Sequence, residues 1–384
     1  MATYYETLGV DPHADAYALR KAYRELARRH HPDVNPEGSS HESMAQINEA
    51  FRTLIDPDRR TEYDAMLRAG FGRIAEAKRY RNRAPIQVRI GHRLTGHRTP
   101  VYAIGFTPDS RQVVSVSFDN EVHWWDADSG ESLKSLRIES GVVSSMRVLG
   151  DGRILCGGSS DNHVSLFEVR EYSASHIKTT PAQWTVCLDF SPEGRSVALG
   201  KVDHELTVLD AKTGQSRYTV HDHHGSVTAL AWSPDGKYLA SGSSDATVRL
   251  REAKTGRPLH TLSSIRGTVT ALAFSGDGQY LAVASADLAV RVFSLADGSL
   301  KRTLFGHQKP IETLAFHGNG WLFASGGRDG MAGLWTAADG LGEVHLRASH
   351  KPISAVAFST DGKKFVTAGQ DRTVQLWSLT AKRS

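Results

Sequence analysis

The chain has 384 residues, 40% hydrophobic and 23% charged, with 46 Lys and Arg against 42 Asp and Glu. That is apolar material for two or three ordinary domains, and a net charge of +4 is too slight to point to nucleic acid. The only cysteines, Cys156 and Cys187, exclude a disulfide framework, while no leader pattern opens the sequence and no apolar run nears the roughly 20 residues of a membrane helix, so a cytoplasmic monomer with no membrane contact is expected.

Residues 1–70 have a helical period. A short helix is predicted over Tyr4 to Leu8 and a second from about Ala16 to His30, with Asp15 as N-cap. In the second, Leu19, Ala22, Tyr23, Leu26 and Ala27 follow the i, i+3, i+4, i+7 rule. A third helix is predicted over about Glu42 to Ile55, with Ala45, Ile47, Phe51 and Leu54 apolar, and a short fourth after Asp56-Pro57. The two longer helices should form an antiparallel hairpin, joined by RRHHPDVNPEG. Pro32 fixes its own φ and restricts His31 to extended backbone. Asp33 offers a carboxylate for an arginine on a partner. Arg20, Arg24 and Arg28 recur every four residues as a basic stripe, whose plainer reading is a solvated face.

These residues resemble the J-domain, the module with which J-proteins activate DnaK-type heat-shock chaperones. The matching text is Tyr4-Tyr5-Glu6-Thr7-Leu8-Gly9-Val10, then LRKAYRELARRHHPD, then INEAFRTLIDPDRRTEYD. The resemblance implies that His31, Pro32 and Asp33 stimulate the chaperone's ATP hydrolysis, while Arg20, Tyr23, Arg24 and Arg28 dock on its acidic surface. The chemistry would then belong to the partner, and this chain would be no enzyme and would need no cofactor. No Gly/Phe-rich segment and no zinc-binding cysteine repeats follow, so general client holding does not carry over.

Residues 71–88 are basic, with Arg73, Lys78, Arg79, Arg81 and Arg83 around Tyr80. A solvated helical extension is expected there, with an acidic partner or nucleic acid as the alternative contact. From residue 89 the texture turns to β-strand, and a unit of 42 residues recurs seven times. Asp119, Asp161, Asp203, Asp245, Asp287, Asp329 and Asp371 mark it. Trp125, Phe167, Leu209, Phe293, Trp335 and Trp377 share another register, with Arg251 the polar exception. Each unit reads as four short strands.

The repeats resemble the WD-repeat β-propeller family, through Gly96-His97, Gly306-His307 and Trp125-Asp126. The fold expected is therefore multi-domain: a small all-α J-domain hairpin over 1–70, the linker, and an all-β seven-bladed propeller over 89–380. The resemblance implies that the periodic Asp holds a turn by hydrogen bonding a loop histidine. His97, His223 and His307 each precede such an Asp by 22 residues. The third unit, VALGKVDHELTVLD, departs most and should give the least regular blade. Leu94 aligns with Leu136, Val220, Leu262, Leu304 and Leu346, so the strand before the first unit should complete the last blade. The block His221-Asp222-His223-His224 reads as a loop pin ahead of a metal site, and Cys156 and Cys187 read as small core residues. The function expected is a co-chaperone whose propeller binds a client or scaffold protein. The rivals are a scaffold with an inert J-like hairpin and, least favoured, a nucleic-acid-associated protein.

Overall fold

A computed structural model describes residues 4–12, 14–29, 47–48, 50–57, 60, 63–64, 86–139, 143–160, 162–170, 173–337 and 342–381. The chain divides into two units, residues 1–82 and 83–384.

In the first unit, α1 (Tyr4–Leu8) and α2 (Ala16–Arg29) are helical, as are residues 47–48 and 50–55. Asp15 caps α2 as the sequence predicts, its Oδ1 accepting from the Ala18 N–H at 2.8 Å. The apolar stripe of α2 sets Leu19 against Ile47, Ala50 and Leu54, with Tyr5, Leu8 and Tyr63 closing the core. Ala50 is fully buried and was absent from the predicted apolar face, whereas Ala45 lies outside the described residues. The segment after Asp56-Pro57 is helical at 57, 60, 63 and 64. It is tied back to the N-terminus: Tyr5 donates to Asp64 at 2.6 Å, and Arg60 donates to the Tyr5 hydroxyl at 3.1 Å and the Pro12 carbonyl at 2.8 Å.

The second unit holds seven four-stranded antiparallel sheets, the blades of a propeller. Blade 1 comprises Val101–Phe106, Gln112–Ser117, Glu121–Asp126 and Ser132–Arg137. The inner strands of blades 2 to 7 are Ser145–Val148, Thr185–Phe190, Val227–Trp232, Val269–Phe274, Ile311–Phe316 and Ile353–Phe358. The middle strands of a blade are apolar on both faces because blades stack on one another. Val114, Val116 and Trp124 of blade 1, for example, meet Ile154, Cys156 and Phe167 of blade 2. In the outer strand of blade 1, SLKSLR, Ser132, Ser135 and Arg137 are exposed along with Leu133, and the polar residues blunt an otherwise sticky edge.

The ring closes as predicted. Ile86–Thr95 is the outer strand of blade 7, antiparallel to Thr373–Ala381. Leu94 opposes Val374, as Leu136 opposes Val122 and Leu262 opposes Val248. The strand starts at Ile86 rather than at residue 89, since its pairing continues to Ala381.

One expectation is overturned. Blade 3 is regular: Thr185 pairs with Lys201 and a bulge precedes Cys187–Gly200, as in blade 4 at Val227–Ser243 and Ala229–Gly242. Lys201, standing where blade 4 has Ser243, pairs with Glu205 and so keeps the turn. Blade 2 departs instead. Its inner strand pairs without a bulge, and its outer hairpin runs on to Arg170–Ser173. Blades 1, 3, 4 and 5 place Gly130, Gly214, Gly256 and Gly298 at φ of 66 to 75°; the sequence has Tyr172 at the corresponding position of blade 2, which lies outside the described residues.

Loops between blades and turns after each second strand share one face, the loop face. There the Asp119 carboxylate accepts from the Arg98 N–H at 3.0 Å, and the Phe118 N–H donates to the Pro100 carbonyl at 3.4 Å.

Candidate functional site

His31, Pro32 and Asp33 lie outside the described residues, as does the basic linker. What the structure describes is the scaffold leading to them. Arg20 and Arg24 are exposed one turn apart on α2. The side chain of Arg28 lies outside the described residues. Tyr23 does not join that exposed face. Its ring stacks on Phe51 with centroids 4.2 Å apart, and its hydroxyl donates to Asn48 Oδ1 at 2.8 Å. Tyr23 thus fastens α2 to the segment around residues 47–51, and Arg20 and Arg24 are the exposed members of the expected set among the described residues.

On the propeller, six of the seven periodic aspartates are described; Asp161 is not. Each accepts the N–H two residues on, from Glu121, Glu205, Thr247, Ala289, Met331 or Thr373. That is an Asx turn. The histidine contribution varies. His223 meets Asp245 at 3.0 Å and Ser241 at 2.9 Å, and His307 meets Asp329 at 3.1 Å and Ser325 at 2.7 Å. His97 bonds Ser115 at 2.8 Å but stands 3.6 Å from Asp119, looser than its spacing predicts. Blade 5 has Ile265 in place of the histidine, and Arg291 reaches Asp287 at 2.7 Å from the third strand. Blade 7 uses Arg93 on Asp371 at 3.4 Å. Asp203 has no such partner among the described residues and is exposed. The sequence signal for Arg291 was available: an arginine inside an apolar strand four residues after a turn aspartate.

His97 is buried beside His123, their ring centroids 4.2 Å apart. Burial, helped by His123, pushes its pKa from 6.5 down to about 4. The unfolded chain therefore binds the proton more tightly, so stability rises with pH across that window and falls on acidification from about 6.5 to 4. The shift corresponds to about 3 kcal/mol at its limit. We expect the urea midpoint to drop from about pH 7 to about pH 5, and His97→Gln to flatten that drop. Equal slopes for both proteins would refute it.

The His221–His224 block splits up. His223 takes the pin position, and His221 lies 3.7 Å from Glu205. Asp222 binds Arg251 at 3.1 Å and Arg249 at 3.6 Å. Although burial raises it, Arg251 and Arg249 hold the Asp222 carboxyl below the usual range. No group of three or more His, Cys, Asp or Glu suited to a metal occurs among the described residues. Cys156 is fully buried and Cys187 half-buried, and burial pushes both thiols up to about 12, far from a reactive thiolate.

A channel of about 520 Å³ runs between the inner strands, lined by Ile104, Met146, Leu188, Leu230, Leu272 and their equivalents. Arg147 and Asp189, 3.4 Å apart, are the charged residues lining it. Among the described residues no helix is long and apolar enough to cross a membrane.

Comparison with known proteins fits this division. The DnaJ domain model matches residues 3–64. The WD domain, G-beta repeat model matches 89–126, 214–251, 256–294, 298–336 and 343–378, leaving 127–213 outside any matched repeat. Chaperone protein DnaJ 1 of Aquifex aeolicus is 53% identical over 64 residues, 17% of this chain and 18% of that protein. Chaperone protein DnaJ of Prochlorococcus marinus is 47% identical over 70 residues, 18% of each chain. Chaperone protein DnaJ of Halalkalibacterium halodurans is 49% identical over 61 residues, 16% of each. The chain thus spans under a fifth of the length of these curated relatives.

Proposed function

The chain joins a DnaJ domain to a seven-bladed WD-repeat propeller, and on that premise we propose that it is a co-chaperone that recruits a DnaK-type heat-shock chaperone and stimulates its ATPase, while the propeller holds a client or scaffold protein. The observation that carries this reading is the agreement of the domain match over 3–64 with a helix pair locked by Tyr23, Phe51 and Asn48. The tripeptide begins in the sequence two residues after α2 ends. Exposed Arg20 and Arg24 supply positive charge for an acidic surface. Asp33 supplies the carboxylate for an arginine of the chaperone. The propeller raises the local concentration of chaperone at whatever it binds. The nucleotide chemistry is the chaperone's, and this chain is not itself an enzyme.

Single-turnover ATP hydrolysis by a DnaK-type chaperone, with and without this protein, tests the reading. Wild-type protein is expected to accelerate hydrolysis, Asp33→Asn to abolish the acceleration, and Arg20→Glu with Arg24→Glu to weaken it in a salt-dependent way. Acceleration that survives Asp33→Asn would count against it.

A further inference from the structure

We infer that Asn319, in the turn between the first two strands of blade 6, is a self-modification site. It closes on the Gly320 nitrogen, loses ammonia and opens with water to aspartate, the residue that the same turn holds in most other blades.

Asn319 precedes a glycine, and none of the other five asparagines does. Those precede Pro36, Glu49, Arg83, Glu121 and His163. The step needs the next backbone nitrogen to reach the side-chain carbonyl carbon. Glycine, with no Cβ, leaves that approach open, whereas proline has no N–H to give. Asn319 is exposed, so ammonia can leave and water can enter. Its Oδ1 accepts from the Trp321 N–H and the Leu322 N–H, each at 3.2 Å. These donors polarise the carbonyl and stabilise the negative charge that attack places on its oxygen. Its Nδ2 makes no hydrogen bond to a described residue, so nothing in the turn holds the leaving group.

The turn itself restrains the reaction. The Gly320 N–H donates to the His317 carbonyl at 3.0 Å, and the Asn319 N–H donates to His317 Nδ1 at 3.0 Å. The first of these bonds must break before the Gly320 nitrogen attacks. Conversion therefore proceeds through the opened turn and is slower in the folded chain than in the unfolded one.

Water is the one co-reactant. The Gly320 nitrogen bonds to Cγ of Asn319, the Cγ–Nδ2 bond breaks, and Nδ2 leaves as ammonia with the amide proton of Gly320. Water then adds to either carbonyl of the resulting ring. Addition at Cγ restores the ordinary backbone and leaves an aspartate side chain. Addition at the main-chain carbonyl leaves isoaspartate, with the chain now running through the side chain.

The repeat decides between these products. Asp109, Asp151, Asp235, Asp277 and Asp361 occupy this place in other blades, and each accepts from the N–H two residues on at 3.0 to 3.1 Å. Asp277 and Asp235 also take a serine hydroxyl, where blade 6 has His317. Blade 2 has Leu149 at that position and Asp151 keeps its backbone bond, so the aspartate turn does not require the hydroxyl. Isoaspartate lengthens the backbone by a methylene and displaces the bonds of the turn. It also re-closes to the same ring, so it drains toward the aspartate that the folded turn retains.

The test incubates the full chain in mildly alkaline buffer, because the attacking nitrogen must lose its proton, and follows it by ion exchange and peptide mapping. An acidic species should accumulate, changed at residue 319 and at no other asparagine, and most of it should be aspartate. The same incubation in urea should run faster and give mainly isoaspartate. Asn319→Ser, which keeps a side-chain acceptor in the turn, should abolish the acidic species. Asn319→Asp should elute with it and melt no lower than wild type. No conversion of the folded chain, equal conversion at other asparagines, isoaspartate as the main product of the folded chain, or a lower melting temperature for Asn319→Asp would each overturn the inference.

Discussion

A chain lacking residues 85–96 is expected to lose cooperative unfolding of the propeller and to aggregate at temperatures where the full chain is folded. The strand Ile86–Thr95 has eight register partners on Thr373–Ala381. It also supplies Leu94, 2% exposed, to a core shared with Val374, Leu376, Val101 and Trp125. Ladder hydrogen bonds at about 1 kcal/mol each and Leu94 at about 2 kcal/mol are a large share of the roughly 5–15 kcal/mol that holds an ordinary domain. The loss also strips the edge of Thr373–Ala381, leaving a template for pairing with another chain. Scanning calorimetry with light scattering would check it. A truncated chain that melts as a soluble monomer at the wild-type temperature would remove closure as the source of stability.

The second large effect is expected at Asp222 and Arg251. In blades 1 and 6 a glycine before the loop histidine faces the tryptophan of the third strand. A Cβ on Gly96 would stand 2.8 Å from the Trp125 ring, and one on Gly306 would stand 2.7 Å from that of Trp335. Each indole N–H then donates to a serine, Ser115 at 2.9 Å or Ser325 at 2.7 Å. In blade 4 both residues change together: Asp222 replaces the glycine and Arg251, 1% exposed, replaces the tryptophan. The same space holds an ion pair, and Arg251 still leans on Ser241 at 3.5 Å. Asp222→Gly alone strands a buried guanidinium and should lower stability by about 3–5 kcal/mol. Arg251→Trp alone pushes an indole against the Asp222 side chain and should destabilise comparably. Asp222→Gly with Arg251→Trp rebuilds the arrangement of blades 1 and 6 and should return stability to near wild type or above, because buried ion pairs replaced by packed apolar groups are often no less stable. Urea unfolding of the four proteins gives the coupling directly. Additive losses in the double variant would show that the two positions are independent.

The same comparison shows what the sequence made legible. Periodicity of 42 residues located every blade, and the alignment of Leu94 foretold the closing strand, since a repeat must meet the same neighbours at each step. Asp15 and Pro57 marked helix starts because capping is local chemistry. The irregular blade was misjudged, because the unusual residues of the third unit pair with each other through Lys201 and Glu205. The departure lies in blade 2, whose inner strand pairs without a bulge and whose outer hairpin runs on to Arg170–Ser173. Tyr23 was placed on the apolar face by its spacing, and Asn48 and Phe51 do cover it; the docking role came only from the resemblance.

By itself the amino-acid sequence determined the two architectures, the tripeptide at 31–33 and the order of the blades, because each depends on residues near one another in the chain or on an exact repeat. Only the tertiary structure decided which aspartates keep a histidine, that Asp222 meets Arg251, and that Trp184 is largely exposed beside Val202. Those are contacts between residues on different strands and loops, and their energies depend on distance and burial, which no spacing along a chain encodes.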